Sequence, residues 1–276
     1  MREIVVICEG LDRADGSARF AFGLTKCLAS VSGPIEVRPQ NELPTQAAFE
    51  VIVRPLSGVA GTRAKSIGTT LQFLLAPSII LTAHPRTLLQ LVVQALNEDS
   101  PPTPSLCRMT FLPDTMSGLA AMINASTIAL LNAGSIQMRG VVCAVAVGVD
   151  TSGSLLVDPA PSELPHLAAC GCFAFIIRAT SASTERHLQC EPVWTNWQTR
   201  TSSSAVHPNA LARAREAAEK ASLTVWEHLK SSMARSEPRS TKQAVIDQER
   251  LDESASESKS VDQDQGASSE DDDVEE

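Results

Sequence analysis

Residues 119–159 read LAAMINASTIALLNAGSIQMRGVVCAVAVGVDTSGSLLVDP, and this stretch decides the fold. Its first part has helical spacing, with Leu119, Met122, Ile123, Ile128 and Leu131 able to pack inward. Ser117 stands just ahead as a cap, and Ala133-Gly134 supplies the stop, so a helix is expected over Thr115–Asn132. Val141–Val149 follows as an unbroken apolar run, the mark of a strand. Asp150 to Gly153 makes a tight turn, and Ser154–Val157 returns to complete a hairpin.

Upstream, Asp15-Gly16 is a turn signal between strands at Glu3–Cys8 and Ser17–Phe22. A third strand, Thr25–Ser32, is expected to stop at Gly33-Pro34, because proline cannot donate to a ladder. Ala48–Val53 is a short apolar strand ended by Pro55. Ala64–Ala76 has Ile67, Leu71, Leu74 and Leu75 on one helical face and is closed by Pro77. Leu88–Leu96 is ambiguous by pattern, but its β-branched centre and the preceding Pro85 favour a strand. Asn97–Pro113 is rich in proline and reads as a long loop. Downstream, Ala169–Ile177 is an apolar strand, a polar Ser/Thr turn follows, and another strand falls around His187–Trp194. Pro208 opens a final amphipathic helix from Asn209 to about Met233. That order of elements implies an α+β protein with mixed sheets.

The chain has 276 residues, 43% of them apolar, enough to bury a core over most of its length. Its net charge of −9 is uneven, because residues 236–276 hold 14 acidic and 4 basic side chains. The remainder is almost neutral, so the acidity does not bar a nucleic-acid partner. We expect one domain over residues 1–235 and a disordered acidic tail over 236–276. The run Ser268-Ser269-Glu270-Asp271-Asp272-Asp273 is either an acidic-directed kinase site or simply part of a solvated tail. Seven scattered cysteines do not form a disulfide framework, and Cys170-Gly-Cys172 lacks the second pair that a zinc site needs. They read as buried thiols of a reducing compartment. The N-terminal apolar run is too short for a signal segment, and no stretch approaches the roughly 20 apolar residues of a membrane span. A soluble, intracellular protein is therefore expected. His84, His166, His187, His207 and His228 have no nucleophile or acid at a recognised spacing, which leaves no triad to argue.

Two further blocks carry a family resemblance. LDRADGSARFAFGLTKCLASVSGP (Leu11–Pro34) resembles the opening hairpin of the RNase PH family. GPIEVRPQNELPTQAAFEVIVRPLSGVAGTRAKS (Gly33–Ser66) and the Leu119–Pro159 stretch resemble the RNase PH-like ring subunits of the eukaryotic RNA exosome. The likeness covers about Leu11 to Met233. It implies an RNase PH fold (ribosomal protein S5 domain 2-like), with two halves around a two-layer core. It further implies a hetero-hexameric ring of such subunits threaded by single-stranded RNA. Cap proteins with S1 and KH domains would sit on one face and a separate hydrolytic nuclease on the other. The nucleus and nucleolus, and also the cytoplasm, are the implied locations.

Against that family's chemistry, this chain reads as degenerate. Active members clamp phosphate with Ser/Thr-Arg at the start of the central helix, where the forked, permanently charged guanidinium suits a compact anion. Those places fall on Gly118 and Leu119. The family's metal-binding aspartates begin at the place of Asp158, but six and twelve residues later stand Leu164 and Cys170. Glu163 could enter only through a register slip. Where active members carry arginines along the first helix, this one reads Gly68-Thr69-Thr70-Leu71-Gln72. No catalytic residue, cofactor or metal is therefore expected. Arg63 and Lys65, after the Gly58–Gly61 loop, match a family loop that lies near the RNA channel, though either could be an ordinary solvated charge. Arg54 and Arg86, each beside a proline, could equally pair with a carboxylate. The rival to a structural ring subunit is an active phosphate-dependent 3'-to-5' exoribonuclease. A third reading is a free-standing interaction module that binds through its tail.

Overall fold

The computed structural model describes residues 1–8, 10–97, 114–180, 187–199 and 209–235. By internal contacts the chain divides into two units, Met1–Ala234 and Arg235–Glu276, and the sheets belong to the first. The acidic tail, the proline-rich segment up to Pro113, the Ser/Thr turn, Cys107, His207 and Pro208 lie outside the described residues.

Two sheets form the frame. The first has the order β1-β2-β3-β5-β4, built from β1 (Ile4–Cys8), β2 (Gly16–Phe22), β3 (Thr25–Glu36), β4 (Ala48–Arg54) and β5 (Thr87–Ala95). Its pairs are antiparallel except β4 with β5, which run parallel because helix α1 (Thr62–Leu75) crosses between them. The second sheet is antiparallel, ordered β7-β6-β8-β9, from β6 (Val141–Asp150), β7 (Leu155–Val157), β8 (Leu167–Thr180) and β9 (His187–Thr199). Helix α3 (Ala210–Arg235) contributes Ala214, Ala218, Val225 and Leu229 to the core.

Helix α2 (Asp114–Ala133) packs against strands of both sheets. It is apolar enough by length and composition to cross a membrane, yet 72% of that stretch is buried inside the protein, as befits a core helix. Alanines at 120, 121, 125 and 129 leave room for close approach. At Gly16 the approach is so tight that a Cβ would lie 2.3 Å from the Ala129 carbonyl oxygen. Gly16 is thus a contact residue inside β2, and the turn expected at Asp15-Gly16 falls earlier, where Ala14 N–H donates to the Leu11 carbonyl.

Asn124 is the buried amide in this apolar helix, and it completes a sheet edge. β7 pairs with β6 only over Val147–Val149. Beyond it, the Asn124 side chain donates to the Ala144 carbonyl at 2.9 Å and accepts from the Ala144 N–H at 2.8 Å. The Ala146 carbonyl accepts from Asp158 N–H at 2.7 Å. An amide side chain and a loop backbone therefore take over where the short strand ends.

Three further expectations need correction. β3 does not stop at Gly33-Pro34. It continues to Glu36 through a cis Gly33-Pro34 peptide, with the pairing to β5 shifted between Ser32 and Ile35. The missing proline N–H is absorbed by that irregularity. Ser117 is not a cap, because α2 begins three residues earlier and its hydroxyl is engaged elsewhere. β8 and β9 extend well past the expected limits, to Thr180 and Thr199.

Candidate functional site

Of the expected site residues, Gly118 and Leu119 fall near the start of α2 and Asp158 just after β7. Asp158 follows β7 with a left-handed φ of 54° and is buried. Its Oδ1 accepts from Arg2 Nη2 at 2.6 Å and from Ser117 Oγ at 2.8 Å. Its Oδ2 accepts from Arg2 Nε at 2.9 Å and from the Arg2 backbone N–H at 3.2 Å. The same guanidinium donates to Thr25 Oγ1 at 3.1 Å and to the Ser117 hydroxyl. Arg2 thereby ties the strand β1 that follows it to the starts of β3 and α2 and to the end of β7. Bidentate arginine–carboxylate geometry makes this a strong, directional contact.

Gly118 and Leu119 follow Ser117 directly. Gly118 is buried, with its carbonyl 3.9 Å from the Cys27 sulfur, and Leu119 packs half-buried against the core. Neither offers a side-chain donor to an anion. Leu164 is buried in a short turn of 3-10 helix, and Cys170 is buried in β8. Glu163 shares a cleft of about 470 Å³ with Met1, Arg2 and Asp158, but its Oε2 accepts from the Ala160 N–H at 2.8 Å. Among the described residues no three His, Cys, Asp or Glu side chains gather as metal ligands would.

Arg63 and Lys65 lie in the first turn of α1, both exposed, with Gly61 at the cap position and no side-chain cap. They belong to α1, a different element from those that hold Leu119 and Asp158. Further along α1, Thr69 and Thr70 donate back to the carbonyls of Lys65 and Ser66, and Gln72 donates to the Phe49 carbonyl. Gly68 faces β4, where a Cβ would meet the Val51 carbonyl at 3.0 Å. That face is spent on packing and local bonds. Arg86 pairs with Glu42 at 3.4 Å, whereas Arg54 is exposed at the end of β4.

The cysteines behave as core residues. Six described cysteines are in no disulfide, and burial pushes the Cys143 and Cys172 thiols far above their ordinary range, with a neighbouring thiol adding to each. Such thiols stay protonated and are poor nucleophiles. His166 and His228 are exposed, and His84 contacts the Ser135 carbonyl at 3.2 Å.

Arg2 escaped the sequence reading because its partner lies 156 residues away. Its only local signal was an arginine directly before an apolar strand.

Two sheets on a shared central helix, with a buried Asp158 at that helix's start, define a recognisable architecture. The profile of the 3' exoribonuclease family, domain 1 (RNase PH), matches residues 1–135. Exosome complex component RRP46 of Saccharomyces cerevisiae is 37% identical over 156 residues, covering 56% of this chain and 65% of that protein. The exosome complex exonuclease RRP46 homolog of Oryza sativa subsp. japonica is 32% identical over 181 residues, covering 66% and 69%. The crystal structure of rice Rrp46 superposes with a TM-score of 0.67 at 25% identity, covering 85% of this chain and 95% of that one. The chain belongs to the RNase PH family, with the RNase PH fold that the resemblance implied. It spans a little under two thirds of the yeast relative's length.

Proposed function

We propose that this chain is a non-catalytic, RNase PH-like subunit of the RNA exosome core ring. The observation that carries this reading is the state of the family's reactive positions. Gly118 and Leu119 provide no phosphate clamp, Leu164 and Cys170 provide no carboxylates, and Asp158 is fully occupied by Arg2 and Ser117. The subunit acts by completing the ring with other RNase PH-like chains and by forming part of the channel wall. Cap proteins and a hydrolytic nuclease are its further partners, and the RNA it helps deliver includes ribosomal RNA precursors. It works in the nucleus and nucleolus and also in the cytoplasm. The rice relative bears the name of an exonuclease, which keeps a phosphate-dependent exoribonuclease as the rival.

Arg63 and Lys65 contact RNA phosphates in this reading, without sequence preference. Co-expression with the other ring subunits should yield a closed six-membered assembly by native mass spectrometry. The Arg63→Glu/Lys65→Glu variant should still assemble, while the slope of RNA affinity against salt falls by about 2. Failure of the unmodified chain to enter the assembly contradicts the reading.

A further inference from the structure

The RNase PH family implies a divalent metal beside the position of Asp158, and the residues here do not fit one. An ionised carboxylate has about four lone-pair sites. At Asp158 four donors take them: Arg2 Nη2 and Ser117 Oγ on Oδ1, and Arg2 Nε and N–H on Oδ2. The Asp158 side chain is 0% exposed and that of Arg2 is 16% exposed, so water has little access to the pair. A metal would also need further oxygen ligands. The buried Leu164 and Cys170 supply none, and Glu163 is turned onto the Ala160 N–H.

We propose that Arg2 is the resident cation of this site. Its guanidinium stands in front of Asp158 where a divalent ion would have to sit, and it converts that carboxylate from a ligand into a joint. The fork of the guanidinium matches both carboxylate oxygens and leaves Nη donors for Thr25 and Ser117. One side chain thus neutralises Asp158 and sets the first turn of α2 against β3 and β7. This builds on the non-catalytic reading but can fail separately from it. Phosphate-dependent RNA cleavage would sink that reading, whereas a metal bound at Asp158 would sink this inference even in an inactive protein.

The test uses the full chain with Mn²⁺ as the probe. Thermal melts are recorded over a Mn²⁺ titration for the unmodified protein and for Asp158→Asn. Binding by the acidic tail is common to both and cancels. The expected result is the same change of Tm with Mn²⁺ in each. A larger Mn²⁺-dependent rise in the unmodified protein overturns the proposal. Should Asp158→Asn fail to fold, the unmodified protein suffices, labelled at its methionine methyls. Met1 lines the cleft beside Asp158, and Met116 adjoins Ser117. Paramagnetic loss of these two signals ahead of Met138 overturns the proposal, and uniform behaviour of all three supports it.

Discussion

Replacing Arg2 with methionine should lower the unfolding free energy by about 3–5 kcal/mol, the usual cost of removing one partner of a buried ion pair. The reason lies in what remains. Asp158 would keep its buried carboxylate but lose two of its four donors, both of them guanidinium contacts. The backbone N–H of residue 2 and the Ser117 hydroxyl would be left to satisfy a charge that water scarcely reaches. Arg2→Lys should cost roughly half as much, since an ammonium keeps the charge but not the fork. Urea denaturation followed through Trp194, Trp197 and Trp226 would measure this. Combining Arg2→Met with Asp158→Asn supplies a stronger test, because the two losses should be far from additive. Additive losses would show that the pair is not coupled, and the joint between sheets and helix would need another explanation.

Asn124→Leu should destabilise by a similar amount, about 4 kcal/mol. Leucine has the same number of side-chain heavy atoms and a higher helix propensity, so neither a cavity nor a weaker helix is the cause. It strands the N–H and carbonyl of Ala144 in a buried setting, and each unpaired group costs about 1–3 kcal/mol. The same urea titration measures it, and hydrogen exchange adds a local readout, since the Ala144 amide should lose protection before the rest of β6. A loss below about 1 kcal/mol would mean that β6 finds another partner at this edge.

Much of the fold could be read from residues 119–159, because α2 and β6 are long, strongly apolar and bounded by clear stops. α1 and α3 were legible for the same reason, each showing an apolar face at helical spacing. The failures share a cause: local rules were overridden by contacts between distant residues. Gly33-Pro34 looked like a terminator, yet β3 passes it because β5 accepts the shift in pairing. Asp15-Gly16 looked like a hairpin turn, but the glycine is needed for the approach of Ala129. Ser117 looked like a cap and instead bonds Asp158, 41 residues on. Of the site, Gly118, Leu119, Asp158 and Leu164 are singled out by the resemblance alone. That Asp158 answers to Arg2 could not, since no spacing rule connects residues 156 apart. Asn124 could have been flagged as an amide among apolar neighbours, but not its role at a sheet edge.

The measurement that bears most directly on the whole account is phosphorolysis by the assembled ring. The chain is purified with its ring partners, without any hydrolytic nuclease, and incubated with single-stranded RNA, magnesium and phosphate. Intact RNA bound to a stable ring is the expected outcome. Release of nucleoside diphosphates that is abolished by Asp158→Asn in a still-assembled ring would contradict it and make this chain an enzyme.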